Sequence, residues 1–143
     1  MKYAFKQEEK TARAALLDMS ISTKDSIEIC NKLRKMNLEK ATAFLERVVL
    51  KKEAVSFRRF TNGAGHKSGI GPGKYPINAS KSFLSLLNLA KANALDKGLS
   101  EDLKISLILA QKASTPWRYG RHRGRKAKRT HLQIQLEEIK KKK

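Results

Sequence analysis

The densest chemistry in the sequence lies in "RYGRHRGRKAKRT". There Arg118, Arg121, Arg123, Arg125, Lys126, Lys128 and Arg129 occur with no acid among them. A guanidinium presents a planar fork that can bond two phosphate oxygens at once and stack on a base, which an ammonium cannot do. Trp117, Tyr119, His122 and His131 are interleaved with these cations. Aromatic and guanidinium planes among basic residues suit the unstacked bases of folded RNA better than a regular duplex. A core position is the competing reading of Trp117; Pro116 beside it and its polar neighbours favour the surface.

A second basic stretch, "SFRRFTNGAGHKSGIGPGKYP" at 56–76, holds Arg58, Arg59, His66, Lys67, Lys74 and Tyr75. Its glycines suggest a nucleotide loop, but the spacing fails. Gly63 and Gly65 are followed by Ser68 where a dinucleotide fingerprint needs a third glycine. A P-loop fails too, since Ser68 stands five before Gly73 and Lys74 precedes Tyr75 rather than Ser or Thr. Glycines here would instead let the backbone approach an RNA backbone closely. Lys81 follows this stretch, and Lys112 precedes the C-terminal one.

Between them these stretches dominate the charge map. No Asp or Glu occurs over 54–95 or over 103–136, and the whole chain carries 32 Lys+Arg against 13 Asp+Glu, a formal charge of +19. A merely soluble surface would intersperse the signs. Segregation on this scale repels itself unless a polyanion relieves it, so nucleic acid is the first candidate partner and an anionic membrane surface the second.

Other chemistries find little support. Cys30 is the only cysteine, so neither an internal disulfide nor a cysteine-based metal site is possible. Among Ile27, Ile29, Leu33 and Met36 it reads as a small buried hydrophobe. His66, His122 and His131 lack ligand spacing, so no metal site is expected. No nucleophile–base set or carboxylate pair stands out, and we expect neither an enzyme nor a cofactor. No apolar run approaches the ~20 residues of a spanning helix. The N-terminus lacks a signal-peptide pattern, which points to the cytosol.

The elements that position these residues follow from periodicity. "TARAALLDMSI" places Ala15, Leu17, Met19 and Ile21 on one parity of a strand. "STKDSIEICNKLRKM", capped by Ser22 or Thr23, carries Ile27, Cys30, Leu33 and Met36 at helical spacing. Asn37 can cap a second helix with Leu38, Ala41, Leu45, Val48 and Val49 inward. Residues 56–76 read as a long loop unable to hold a regular strand. "INASKSFLSLLNLAKANAL" is a third helix with Phe83, Leu87, Ala90 and Ala94 inward and Gly98 as its cap. "LKISLILA" turns Ile105, Leu107 and Leu109 inward. "HLQIQLEE" turns Leu132, Ile134 and Leu136 inward against Gln133, Gln135 and Glu137. Joined by the basic connector, these two strands read as an antiparallel hairpin.

The predicted fold is α+β: a small three-stranded antiparallel sheet packed against three helices, with a long basic β-hairpin extension. One domain is expected over 1–143. Its globular part would cover about 11–112 and 130–138, its extended hairpin about 104–136, and its basic tail 139–143.

"ARAALLDMSIS", "EKATAFLERVVLKKEAVSFRRF", "GHKSGIGPGKYPINASKSFLSLLNLAKANALDKGL" and "THLQIQLEE" closely resemble large-subunit ribosomal protein twenty-two, the universal family called protein seventeen in eukaryotes. The likeness runs from about Thr11 to Glu138, and "GHK" followed by "GPGKYP" and "AS" marks the archaeal and eukaryotic branch. The resemblance implies a cytoplasmic, non-catalytic component of the large ribosomal subunit that binds its rRNA and supports rRNA folding and assembly. It also implies neighbouring ribosomal proteins as partners and no homo-oligomer. Its hairpin would reach inward to the nascent-peptide exit tunnel, with Trp117, Tyr119, Gly120, His122 and Gly124 at the tip beside the nascent polypeptide. At ~3.3 Å per residue, a fully extended returning arm over 121–136 spans roughly 50 Å. The tip departs from the archaeal pattern: "STPWRYGRHRGRK" keeps Gly120-Arg121 and Gly124-Arg125 but lacks a Pro-Arg-Ala, so a shorter tip is expected. The alternative is a free-standing RNA- or DNA-binding regulator or chaperone.

Overall fold

The computed structural model describes residues 3–5 and 10–139. In chain order these form β1 (Thr11–Met19), α1 (Thr23–Leu33), α2 (Leu38–Val49), β2 (Val55–Ser56), β3 (Gly65–Lys67) and β4 (Gly71–Lys74). They continue with α3 (Ile77–Asp96), β5 (Leu103–Lys112) and β6 (Thr130–Glu138). Strands β1, β6 and β5 pair antiparallel in that order, with β6 central. Helix α3 packs on β1 and β6 and α1 on β5, while α2 packs chiefly on α3 and touches β5 only lightly. This is the α+β arrangement of three helices on a three-stranded sheet that the periodicity predicted. No helix among the described residues is long and apolar enough to cross a membrane.

Local chemistry sets the helix ends. Ser22 caps α1 by accepting from the Asp25 N–H at 3.4 Å, and Asp25 adds a favourable charge to the first turn. Asn37 precedes α2 without a side-chain capping bond. Helix α3 closes on Gly98, whose φ of 69° lets its N–H reach Leu95 O at 2.9 Å while Leu99 N–H reaches Ala94 O at 3.0 Å. That pair of bonds is the left-handed cap glycine favours. The inward faces are Ile29, Cys30 and Leu33 on α1, Ala41, Phe44, Leu45 and Val48 on α2, and Phe83, Leu86, Leu87, Ala90 and Ala94 on α3. Ile27, Met36 and Val49, expected inside, are only half-buried.

Several strand assignments need correction. On β1 the buried parity is Ala12 and Ala14, whereas Leu17 is 48% exposed. Small residues face α3, which is held close to β1 by Asn93 Nδ2 donating to Arg13 O at 2.8 Å and Lys97 Nζ donating to Thr11 O at 3.0 Å. On β5, Ser106 is bulged: Ile105 lies opposite Leu136 and Leu107 opposite Gln135. The extra residue reverses the parity, so Ile108 faces the core and Leu107 does not. Ile105 also pairs its backbone with Lys35 and Met36 after α1, at 3.1 and 2.9 Å. Gln133 and Gln135, expected to face solvent, are buried; Ala4 N–H donates to Gln133 Oε1 at 2.9 Å from the segment laid over that face.

The glycine-rich stretch also holds strands, contrary to the expected loop. β2, β4 and β3 make a second small antiparallel sheet. Gly69 and Gly71, with φ of 77° and 72°, turn the β3–β4 hairpin in a conformation costly for other residues. Pro72 donates no hydrogen bond, but its carbonyl accepts from Phe57 N–H at 2.9 Å.

A long regular hairpin is not shown. The β5–β6 ladder stops at Lys112 opposite Thr130. Beyond it Ala113 N–H bonds Arg129 O, and pairing resumes briefly where Trp117 faces Lys126. Pro116 contributes no N–H, Gly120 has a φ of 69°, and Gly120–His122 forms a single 3₁₀ turn. The returning residues 121–129 are therefore not the fully extended arm that the length argument allowed. Of the basic tail at 139–143, all but Ile139 lies outside the described residues.

Candidate nucleic-acid interface

A buried carboxylate fixes the first basic stretch. Glu28 on α1 is 1% exposed, and its Oε1 accepts from Arg59 N–H at 2.7 Å and Phe60 N–H at 2.8 Å. Burial works against its charge. The N–H groups of Phe60, Arg59 and Arg58 and the Asn31 side chain outweigh that, holding the carboxyl below its ordinary range. The turn carrying Arg58 and Arg59 is thereby bolted to the start of the helical layer, with both side chains exposed.

Beside this turn lies a cleft of about 400 Å³ lined by Lys24, Arg59, Lys74 and Lys128, with Ser22 and Asp25 from the start of α1. Lys74 Nζ donates to Asn62 O at 3.2 Å and sits 5.2 Å from the Phe57 ring centroid. Arg59 and Lys24 lie 5.3 and 5.7 Å from the Phe60 centroid. Each cation thus rests on an aromatic face, which restrains it. An adjoining cleft of about 430 Å³ shares Ser22, Asp25 and Lys128 and adds Tyr75 and the first turn of α3. The first turn of α3 adds positive partial charge to the second cleft, while Asp25, which lines both clefts, already offsets the N-terminus of α1.

The second basic stretch reaches the same place. Arg118, His122, Arg125, Lys126 and Lys128 line a concavity of about 260 Å³ on the connector. Lys128 borders all three hollows, so the two acid-free stretches meet there. Its neighbour Arg129 is half-buried and donates to Asp18 O at 3.3 Å. Thr130, fully buried, donates to Ile21 O at 3.0 Å and lies 2.8 Å from Thr23 Oγ1. The point where dense charge passes into regular strand is therefore fastened to the β1–α1 turn.

The remaining sequence-nominated residues lie as follows. Lys67 on β3 stands 5.2 Å from the Tyr75 ring centroid, while His66 on the same strand is exposed. Lys81 on α3 and Lys112 at the end of β5 are exposed and line none of the three hollows. Nor do Arg58, Arg121 and Arg123. Trp117 is 59% exposed and Tyr119 96%, so neither belongs to the core. Gly120 opens the turn at the connector's end and Gly124 follows it. His66, His122 and His131 fall on separate elements, and among the described residues no group of three or more His, Cys, Asp or Glu side chains could hold a metal ion. Two contributors escaped the sequence reading. Lys24 stands outside both acid-free stretches, and Glu28 looks like any acid on a helix.

The whole interface lies within a segment that has a recognisable pattern. Residues 14–137, from inside β1 to inside β6, match the model of the family described as "Ribosomal protein L22p/L17e". The chain belongs to this family. Its relatives include the large ribosomal subunit protein uL22 of Ignicoccus hospitalis, 40% identical over 148 residues, covering 95% of this chain and 93% of the relative. The uL22 of Methanocaldococcus jannaschii is 41% identical over 139 residues, covering 91% and 89% of the two chains. That of Methanosphaera stadtmanae is 40% identical over 145 residues, covering 95% and 94%. These archaeal relatives fit the archaeal and eukaryotic branch that the glycine-rich stretch marks. L22p/L17e proteins are structural ribosomal proteins, not enzymes.

Proposed function

We propose that this chain is a structural constituent of the large ribosomal subunit in the cytoplasm, where it binds the large-subunit rRNA and supports its folding and assembly. The observation that carries this is the position of Lys128, which borders three adjoining hollows and so brings the two acid-free stretches together. Arg59, Lys74 and Lys128 would hold phosphates in the main cleft, with Lys24 beside them. Arg58, His66, Lys67, Tyr75, Lys81 and Lys112 would meet RNA around it, and Arg118 to Arg129 along the connector. In this reading the connector reaches inward from a globular body at 11–112 and 130–138. Its tip, with Trp117, Tyr119, Gly120, His122 and Gly124, contributes to the wall of the nascent-polypeptide exit tunnel. Neighbouring large-subunit proteins complete its contacts, and the chain acts as a single copy rather than a homo-oligomer.

The arrangement supports this reading physically. A charge of +19 on 143 residues is self-repelling in isolation and is relieved among phosphates. A free-standing RNA- or DNA-binding regulator or chaperone is the second reading, favoured by a hydrophobic core that closes without a partner.

Sucrose-gradient sedimentation of a lysate at moderate salt, followed by a high-salt wash, separates the two. Comigration with large subunits that survives the wash supports the ribosomal reading. A protein that stays at the top of the gradient, or leaves at modest salt, supports the free-standing binder.

A further inference from the structure

Trp117 is the only tryptophan in the chain. It stands outside the core and is 59% exposed. An indole left in water on an irregular segment gains nothing from burial, so its placement asks for a partner. One partner is already present: Lys126 Nζ lies 4.6 Å from the ring centroid, at the point where the two sides of the connector bridge. This pairing fixes the ring's orientation while its exposure remains large. Arg118 N–H donates to Arg125 O at 2.9 Å, and Ala127 N–H to Pro116 O at 2.8 Å. The backbone on both sides of the indole is therefore held, and the ring is presented on a short braced segment rather than a free loop.

The surroundings define the ligand. Arg118, Arg125 and Lys126 line the adjacent concavity with His122 and Lys128, and no carboxylate borders it. A hollow of this composition takes an anionic group, and a flat aromatic surface beside it takes a flat apolar one. A nucleotide in a single strand combines both, a base with its flanking phosphate. A paired duplex hides the base faces, and an inorganic polyanion has none. The acid-free character of the whole connector excludes a basic peptide as the natural occupant.

We propose that Trp117 and the adjoining concavity form a nucleotide subsite. An unpaired RNA base stacks on the open face of the indole, and its flanking phosphate lies among Arg118, Arg125 and Lys126. The subsite rests on the RNA-binding reading above and assigns it a ligand class: an extruded, single-stranded nucleotide rather than helical RNA. Lys126 serves both parts, backing the indole and lining the phosphate hollow.

Because Trp117 is the sole tryptophan, the full-length protein reports its own binding. Its fluorescence is titrated with a short single-stranded oligoadenylate and, separately, with inorganic polyphosphate. Affinities of W117A and W117F for both are measured by competition. Oligoadenylate is expected to quench the indole strongly, while polyphosphate binds and leaves it nearly unchanged. W117A should weaken oligoadenylate binding roughly tenfold, W117F less, and neither should alter polyphosphate binding. Both variants should keep the wild-type circular dichroism, since the ring is outside the core. Equal oligoadenylate affinity for W117A and wild type overturns the subsite, as does equal quenching by polyphosphate; in either case RNA binding through the basic surface stands. Failure of the wild-type protein to bind oligoadenylate or polyphosphate overturns both.

Discussion

Glu28 Oε1 lies 2.7 Å from the backbone nitrogen of Arg59, so an acid buried beneath a cationic cleft holds the main chain of one of that cleft's cations. The carboxylate directs its charge to backbone N–H groups rather than to a salt bridge, which leaves the Arg59 guanidinium available to a ligand. Charge-assisted bonds of this kind contribute more than neutral ones, and their loss leaves the N–H groups of Arg59 and Phe60 unpaired.

Glu28→Gln keeps an amide oxygen that can accept both N–H groups but removes the charge, so it should destabilise the fold by about 1 kcal/mol in urea unfolding near neutral pH. The pH dependence has a definite sign. The folded carboxyl titrates below its ordinary value of 4.5, so its contribution is complete above that value and is lost as pH falls through the folded pKa. The gap between wild type and variant should close in that acid window. A gap that is constant with pH would show that the carboxylate's charge is not what holds the turn.

Cys30 titrates in the opposite sense. Burial pushes its thiol up to about 12, against a smaller opposing effect of the nearby Arg34 charge. The native protein should resist thiol reagents at mildly alkaline pH and react fully once unfolded in urea. The unfolded thiol ionises from about pH 8.5, so above that pH this residue makes stability fall by up to about 1.4 kcal/mol per pH unit. Cys30→Ala should remove that component of the alkaline slope. Rapid labelling of the native protein would contradict the burial on which this rests.

How much of this was legible beforehand differs from element to element. The three helices announce themselves because each carries a stripe long enough for its period to be read, and α3 even shows its cap at Gly98. Strand faces are harder. On β1, hydrophobic bulk pointed to Leu17 and Met19, but the buried residues are the alanines that let α3 approach. On β5, a single bulge at Ser106 reversed the parity of everything after it, and nothing local in "KISLI" marks that event. The second sheet was hidden by its own glycines, which a composition argument counts against strands although the hairpin turn requires them. At the interface, charge density located most of the cations. It had no access to Lys24, which arrives through tertiary packing, nor to the burial of Glu28. Both depend on where α1 meets a segment some thirty residues away.

Left-handed backbone positions offer a pair of substitutions with opposite signs. Gly71 has a φ of 72°, with open space where an alanine methyl group would stand. Gly71→Ala should cost about 1–2 kcal/mol from conformation alone. Lys51, just past α2, is exposed and holds a φ of 58° despite its side chain. Lys51→Gly should relieve that strain and raise stability by up to about 1 kcal/mol. Chemical denaturation of both variants checks the pair. A loss of stability in Lys51→Gly would mean that the lysine stem makes a packing contribution larger than the strain.

The anchor beneath the basic connector makes the sharpest test of how the charged segment is held. Thr130 Oγ1 donates to Ile21 O, so its contact with Thr23 Oγ1 is completed by the proton of Thr23, making a relay from α1 through β6 to the β1–α1 turn. Thr130→Val leaves the Ile21 carbonyl without this bond in a buried setting and should cost about 1–3 kcal/mol. Thr23→Val removes only the outer bond and should cost less. In a double-mutant cycle the two losses should fall short of additivity by about 0.5 kcal/mol or more, because once Thr130 is gone Thr23 has nothing left to donate to. Strict additivity would mean that the two hydroxyls act independently. The connector would then be held to the globular body by the ladder ending at Lys112 and Thr130 and by Arg129 alone.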